Sequence, residues 1–258
     1  MNKTKIFHEL HHGDQPLVLP NAWDFGSAAV LAAEGFPAIG TTSLGVAVAA
    51  GLPDGTGVTA DATLALARLL ARLPVPVTVD IEGGFSESPS AVAEYAAQLA
   101  ELGIAGVNLE DGRAESTLAE PDHQAELIAA IKDRVPDLFV NARVDTYWVK
   151  DDTEHTLTRA ERYTAAGADG IFVPALTDPD AIAAIIAAIP LPINLLYSPT
   201  GPSIATLGTL GVRRVSTGSL LYRTALSAAI NTARAARDNT PLPLTAPPYP
   251  EIQALTEG

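Results

Sequence analysis

Asp80 and Glu82, two acids one residue apart in VPVTVDIEGG (residues 75–84), end an otherwise apolar stretch. In an extended strand residues i and i+2 project to the same side, so the two carboxylates would share a face. Packing like charges together is costly unless a counter-charge compensates for them. Other acids recur at comparable places: Glu110 and Asp111 end AGVNLED, and Asp145 ends FVNARVD, with Arg143 two residues before it. Carboxylates grouped without lysine or histidine suit a hard divalent cation such as Mg²⁺, which keeps several waters and takes one or two carboxylates directly. On that reading Asp80 binds the ion directly, and Glu82 and Glu110 hold its waters. The same acids also have a plainer reading, as helix caps or partners of Arg143.

Such acids act together only if strands bring their ends to one place. Strand-like runs fall at 17–23, 38–43, 75–82, 105–111, 139–145, 170–176, 192–198 and 213–219. Helical patterns fall near 24–34, 59–73, 88–103, 120–134, 153–166, 178–188 and 203–210, with a longer one at 219–237. Thr59, Ser88, Asp178 and Ser203 are N-cap types, and Gly35, Gly103, Gly167 and Gly211 are suited to end helices. Eight strand–helix units predict an α/β fold, a single (β/α)₈ TIM-type barrel domain over 1–258. The barrel occupies about 17–219, an extended C-terminal helix about 219–237, and a proline-rich tail 238–258. An open doubly wound sheet is the alternative, but no G-x-G-x-x-G fingerprint accompanies it.

In such barrels chemistry collects at the C-terminal strand ends. Asp80 and Glu82 end strand three, Glu110 and Asp111 strand four, and Asp145 strand five. Arg213 and Arg214 open strand eight, which puts them at the opposite end. Asn194 and Ser198 share a face of strand seven, toward substrate or toward the core. SPTGPS after strand seven and STGS at strand eight read as turn and capping residues, with a phosphate cradle as the alternative. Trp23 and Asp24 read as strand-end packing and a helix cap.

Composition closes off other chemistries. The 258-residue chain carries a formal charge of −14, so it has no basic patch for nucleic acid. Without cysteine it has no thiolate nucleophile, disulfide or Cys-based metal site. His8, His11, His12, His123 and His155 lie off the strands, against a histidine metal cluster, and no lysine points into the barrel to form a Schiff base. The 19-residue uncharged stretch from Gly35 to Pro53 carries four glycines and two prolines, which argues against a membrane span. The N-terminus has no apolar signal-peptide core, so a cytoplasmic location is expected.

The runs PNAWDFGSAAVLAAEGFPAIGTTSLGVAVAAGLPDG, VTVDIEGGF, AGVNLEDG, FVNARVD and GADGIFVPALTD, in that order, resemble the isocitrate lyase / phosphoenolpyruvate mutase superfamily from about Leu17 to Ser219. The resemblance implies a (β/α)₈ barrel that binds a 2-oxo acid or enolate fragment on Mg²⁺, assembled as a homotetramer or a dimer with the last helix exchanged. It implies Asp80 as direct metal ligand with Glu82 and Glu110 in the hydration shell. Thr42, Ser43 and Leu44 would cradle the substrate carboxylate, Asp54 would approach the metal waters, and Arg143 would hold the second anionic group, for which a forked guanidinium is shaped.

The departures narrow the chemistry. Family lyases acting on isocitrate or methylisocitrate carry a lysine-rich loop with a cysteine after strand four, where this chain reads GRAESTLAEPDHQ. They carry a glutamate at the end of strand six, where Pro174 stands, and Glu82 occupies a place where many members have aspartate. Family mutases gate the site with a longer loop bearing an asparagine, and residues 112–121 contain none. The expected function is a Mg²⁺-dependent carbon–carbon lyase on a 2-oxo acid or 2-hydroxy di- or tricarboxylate, through a metal-stabilised enolate. A phosphonopyruvate-type mutase or hydrolase is the alternative, and a non-catalytic oxo-acid-binding barrel comes from another class. Substrate and a second copy of the chain are the expected partners, with neither nucleic acid nor membrane.

Overall fold

The computed structural model of the chain describes residues 2–242 and 245–256. Its main sheet is wholly parallel. The two ends of that sheet are consecutive pieces of one strand: Leu17–Leu19 pairs with Arg214–Ser216, and Asn21–Ala22 pairs with Ile39–Thr41. The break falls at Pro20, which has no N–H to give a ladder. Asn21 bridges it, its side-chain Oδ1 accepting from the N–H groups of Thr217 and Gly218 and its Nδ2 donating to Thr41 O at 2.7 Å. The sheet thereby closes into the expected eight-position barrel. The other strands are Val77–Asp80, Gly106–Glu110, Phe139–Arg143, Gly170–Val173 and Ile193–Leu196.

Alternation along these strands sends Val77, Val79, Val107, Leu109, Val140, Ile171, Val173, Leu195 and Val215 into the buried core. Each such side chain contributes about 1.5–3 kcal/mol of burial free energy. The alternate positions point inside the barrel and carry the polar residues Thr78, Asp80, Asn108, Asn141, Asn194, Arg214 and Ser216, all buried. Asn141 Nδ2 donates to Asn108 Oδ1 at 2.9 Å, and Arg214 Nη2 donates to the same oxygen at 3.2 Å.

Every expected helix is present, from Phe25–Ala33 to Leu220–Asp238. Asp24 caps the first with a reciprocal capping box, and Asp178 and Ser203 cap theirs. Thr59 and Ser88 make no side-chain cap bond. Among the described residues four further α-helices were not anticipated: Lys3–Leu10, Ser43–Ala49, Thr146–Val149 and Tyr249–Ala254. Lys3–Leu10 plugs the N-terminal end of the barrel, its buried Phe7 meeting Phe139 edge-on at 5.2 Å. His11 is buried beside it, and burial pushes its pKa down to about 3, so the ring is neutral. Leu220–Asp238 buries only Tyr222 and Ala235 and leaves Leu226 and Ile230 about half exposed. Among the described residues no helix is long and apolar enough to cross a membrane.

Candidate active site

A cavity of about 720 Å³ opens at the C-terminal ends of the strands. Thr42, Ser43, Leu44, Asp54, Asp80, Glu110 and Arg143 all line it, so seven of the nine residues singled out from sequence meet there. Thr42 precedes helix Ser43–Ala49, whose first amides have no carbonyl of a preceding turn to bond. These amides and the Thr42 and Ser43 hydroxyls are donors at one side of the cavity.

Arg143 is fixed at the other side. Its Nη1 lies 2.6 Å from Glu110 Oε2 and its Nε lies 2.6 Å from Asp145 Oδ1. The guanidinium carbon lies 5.6 Å from the ring centres of both Trp148 and Phe172, a pair of cation–π contacts. Burial alone would weaken this cation, yet Glu110, Asp145 and Asp80 around it hold its pKa above the ordinary value. Asp145 is held in turn by Asp111, whose Oδ1 accepts the Asp145 N–H at 2.7 Å. The other oxygen of Asp111 accepts from Tyr163 at 2.7 Å and from Arg159 at 3.2 Å. Asp111, fully buried, is thus part of the frame behind Arg143.

Asp80 ends strand three with its carboxylate toward the cavity. Its Oδ1 accepts the Glu82 N–H at 3.1 Å, while Oδ2 has only Asn108 Nδ2, at 3.5 Å. Burial raises its pKa to about 6 against the pull of Arg143. Burial likewise lifts Glu110 to about 8, against the same arginine. A cavity wall with more carboxylate than local positive charge, offering only hard oxygen donors, fits a divalent cation. Asp80 would hold it, and Glu110 and Asp54 would reach its waters.

Two residues of the expected set lie elsewhere. Glu82 does not share a face with Asp80, because the strand stops at Asp80 and Glu82 takes a left-handed backbone at φ 49°. The i, i+2 relation holds only in extended chain. Its carboxylate turns away from the cavity, accepting from the Gly57 N–H at 2.9 Å and from the Thr59 hydroxyl. The acids Asp80, Glu82 and Glu110 therefore do not converge as a triad. Asn194 is 1% exposed inside the barrel and absent from the cavity wall, where its Oδ1 accepts from Ser216. Arg214, expected at the far end, is a correction of another kind. Strand eight does begin there, but its long side chain lies fully buried within the barrel and reaches Asn108. Burial pushes its pKa down to about 9, with Asp80 opposing the shift.

Sequence reasoning also missed parts of the wall. Residues 112–118 form a hairpin, Gly112–Arg113 paired with Thr117–Leu118, whose residues Gly112 to Ser116 line the cavity. Trp148 and Phe172, which clasp Arg143, carried no signal beyond their aromatic type. Among the described residues one group of three acids and histidines, Asp152, Glu154 and His155, brings its ligand atoms within 4.8 Å of one another. It is largely exposed, and Asp152 is already bonded to His155 and Arg159.

The model of the family described as phosphoenolpyruvate phosphomutase matches residues 7–237. An uncharacterized protein of Mycobacterium tuberculosis (strain ATCC 25618 / H37Rv) is 53% identical over 96% of this chain and 95% of its own length. The 2-methylisocitrate lyase of Bacillus subtilis (strain 168) is 32% identical over 72% of this chain and 64% of that protein. A solved structure from Burkholderia cenocepacia J2315 is 39% identical and superposes with a TM-score of 0.85, covering 91% of this chain and all of that one. The fold also matches a phosphonopyruvate hydrolase in complex with oxalate and Mg++, at 23% identity and TM-score 0.86, over 100% of this chain and 95% of that one. With a family match over most of its length, laid on a barrel of this architecture, the chain is a member of the isocitrate lyase / phosphoenolpyruvate mutase superfamily.

Proposed function

We propose that this protein is a Mg²⁺-dependent carbon–carbon lyase acting on a 2-oxo acid or a 2-hydroxy di- or tricarboxylate. The observation that carries the reading is the cavity itself, with Asp80, Asp54 and Glu110 on its wall and a clasped Arg143 guanidinium beside them. A bound divalent cation supplies a Lewis acid that offsets negative charge developing on a substrate carbonyl oxygen. The protein's own residues do the rest. The Ser43 and Leu44 amides and the Thr42 hydroxyl receive a carboxylate. Arg143, whose Nη2 makes no hydrogen bond among the described residues, receives the second anionic group. The 112–118 hairpin supplies part of the wall around them.

The test is turnover with Mg²⁺ across 2-oxo acids, 2-hydroxy di- and tricarboxylates and phosphonopyruvate. Release of a carbonyl fragment from a carboxylic substrate is the expected result. Preferential formation of phosphate or phosphoenolpyruvate from phosphonopyruvate would move the protein to the carbon–phosphorus branch. Tight oxo-acid binding without turnover would make it a binding barrel.

Ion binding should depend on pH in a defined direction. Asp80 must be ionised to ligate, and its pKa is about 6. Through Asp80, Mg²⁺ affinity should fall by about tenfold per unit below pH 6. The apo protein should show the opposite trend in stability. A folded pKa above the ordinary 3.8 favours the protonated fold, and that advantage is lost as pH rises through about 6. Calorimetric titrations from pH 5 to 8 measure the first, and an affinity constant down to pH 5 would contradict it.

We also propose that Leu220–Asp238 packs on a second copy of the chain, because its Leu226 and Ile230 face no core of their own subunit. Sedimentation should give a dimer or tetramer. A monomer at micromolar concentration would remove this assignment.

A further inference from the structure

Glu82 is 3% exposed, yet its carboxylate lies off the cavity, and every polar group it has is committed. Its N–H donates to Asp80 Oδ1 at 3.1 Å, and its C=O accepts the Glu110 N–H at 2.9 Å. Its carboxylate accepts from the Gly57 N–H at 2.9 Å and from the Thr59 hydroxyl. One residue thus joins the ends of strands three and four to the segment 53–59. That convergence accounts for the left-handed backbone at φ 49°, which a glutamate keeps only where its surroundings over-determine it.

The segment itself needs such a tie. Residues 53–56 and 58 are exposed, and Gly55 and Gly57 take positive φ. Among the described residues the Gly57–Glu82 bond is the one hydrogen bond joining 53–58 to the rest of the molecule. Thr59, buried at the start of helix Ala60–Leu70, gives its hydroxyl to Glu82 rather than to the helix. Asp54 and Gly55, which line the cavity, are carried by this segment.

We propose that Glu82 is a positioning residue: its carboxylate latches the 53–59 segment to the strand ends and so holds Asp54 on the wall of the cavity. The extra methylene of glutamate over aspartate supplies the reach to Gly57 and Thr59. The inference rests on the reading of this cavity as the active site for its functional consequence, but the latch is measurable without substrate or metal.

The full-length protein serves for the test, with Glu82→Asp keeping charge and losing reach, and Glu82→Gln keeping reach and losing charge. Thr59→Val removes the hydroxyl alone. Hydrogen exchange of 53–59 in the metal-free protein should speed up by about tenfold or more in Glu82→Asp, the size expected for losing a buried charge-assisted bond. Thr59→Val should shift it the same way, and Glu82→Gln should retain most of the protection. Turnover should follow the same order, Glu82→Gln losing less than Glu82→Asp, while Mg²⁺ affinity stays within about twofold in Glu82→Asp, since no metal-facing oxygen is removed. The reverse pattern would overturn the latch: full protection and turnover in Glu82→Asp, with turnover and Mg²⁺ affinity lost in Glu82→Gln. Should Glu82→Asp not fold, unaltered exchange in Thr59→Val would overturn it as well. The expected order of 53–59 exchange in a protein that turns over no carboxylic substrate would leave the latch standing and remove the lyase reading instead.

Discussion

Asp80→Ala should lower turnover by about 10³-fold or more, because the positive charge that offsets a developing oxyanion is worth several kcal/mol. Calorimetry on the same variant should show no Mg²⁺ binding in the cavity. The fold should survive. Asp80 is buried at a pKa of about 6, so at neutral pH its ionised form is penalised by burial. Removing it leaves the Glu82 N–H and one N–H of the Asn108 amide short of an acceptor. Asp80→Asn keeps that acceptor and should be equally inactive while melting at or above the parent temperature. A variant that retained a tenth of parental turnover at saturating Mg²⁺ would take Asp80 out of the metal site.

Arg143 should give the next largest effect, split between two variants. Arg143→Lys keeps the charge but loses the planar fork set between Trp148 and Phe172, and kcat/KM should fall by about 10²-fold. Arg143→Ala goes further by leaving Glu110 and Asp145 without their cation. Both carboxylates lie within 2.6 Å of the guanidinium, and stranding buried charges of this kind costs about 3–5 kcal/mol. Urea denaturation should register that loss near pH 8 and less of it near pH 5, where Glu110, at about 8 even in the parent, is protonated. Equal stability of parent and Arg143→Ala at both pH values would show that the pairs carry no weight.

The barrel was legible because two periodicities alternate without ambiguity. Runs such as VPVTVD bury every second side chain outward, and phrases such as LAELGIAGVN place a glycine where the helix must stop, as Gly103 does at φ 91°. Pro20 was the hidden joint, since a proline inside a strand would suggest an edge, whereas Asn21 replaces the missing pairing with its side chain. The site was legible wherever a residue sits within regular structure or directly after it: Asp80, Glu110, Arg143 and the Thr42–Leu44 turn. It was not legible where backbone leaves that regularity. Two residues beyond Asp80 the chain has already turned left-handed, so Glu82 points to Gly57 instead of to the cavity. Arg214 was misplaced for a different reason, as the start of a strand locates its Cα and not the end of a long side chain inside the barrel. Asn194 points inward as its pattern requires but sits too deep to meet the cavity. The 112–118 hairpin, with Glu115 and Ser116 both at φ 58°, depends on local backbone that hydrophobic patterning does not encode.

The claim that the rim of this barrel holds a divalent cation is tested most directly by crystals soaked in Mn²⁺ and read by anomalous scattering. The predicted result is a peak in the cavity at bonding distance, about 2.1–2.2 Å, from an Asp80 carboxylate oxygen. A map with no peak there at saturating Mn²⁺, or with its peak at the surface group of Asp152, Glu154 and His155, would contradict the account.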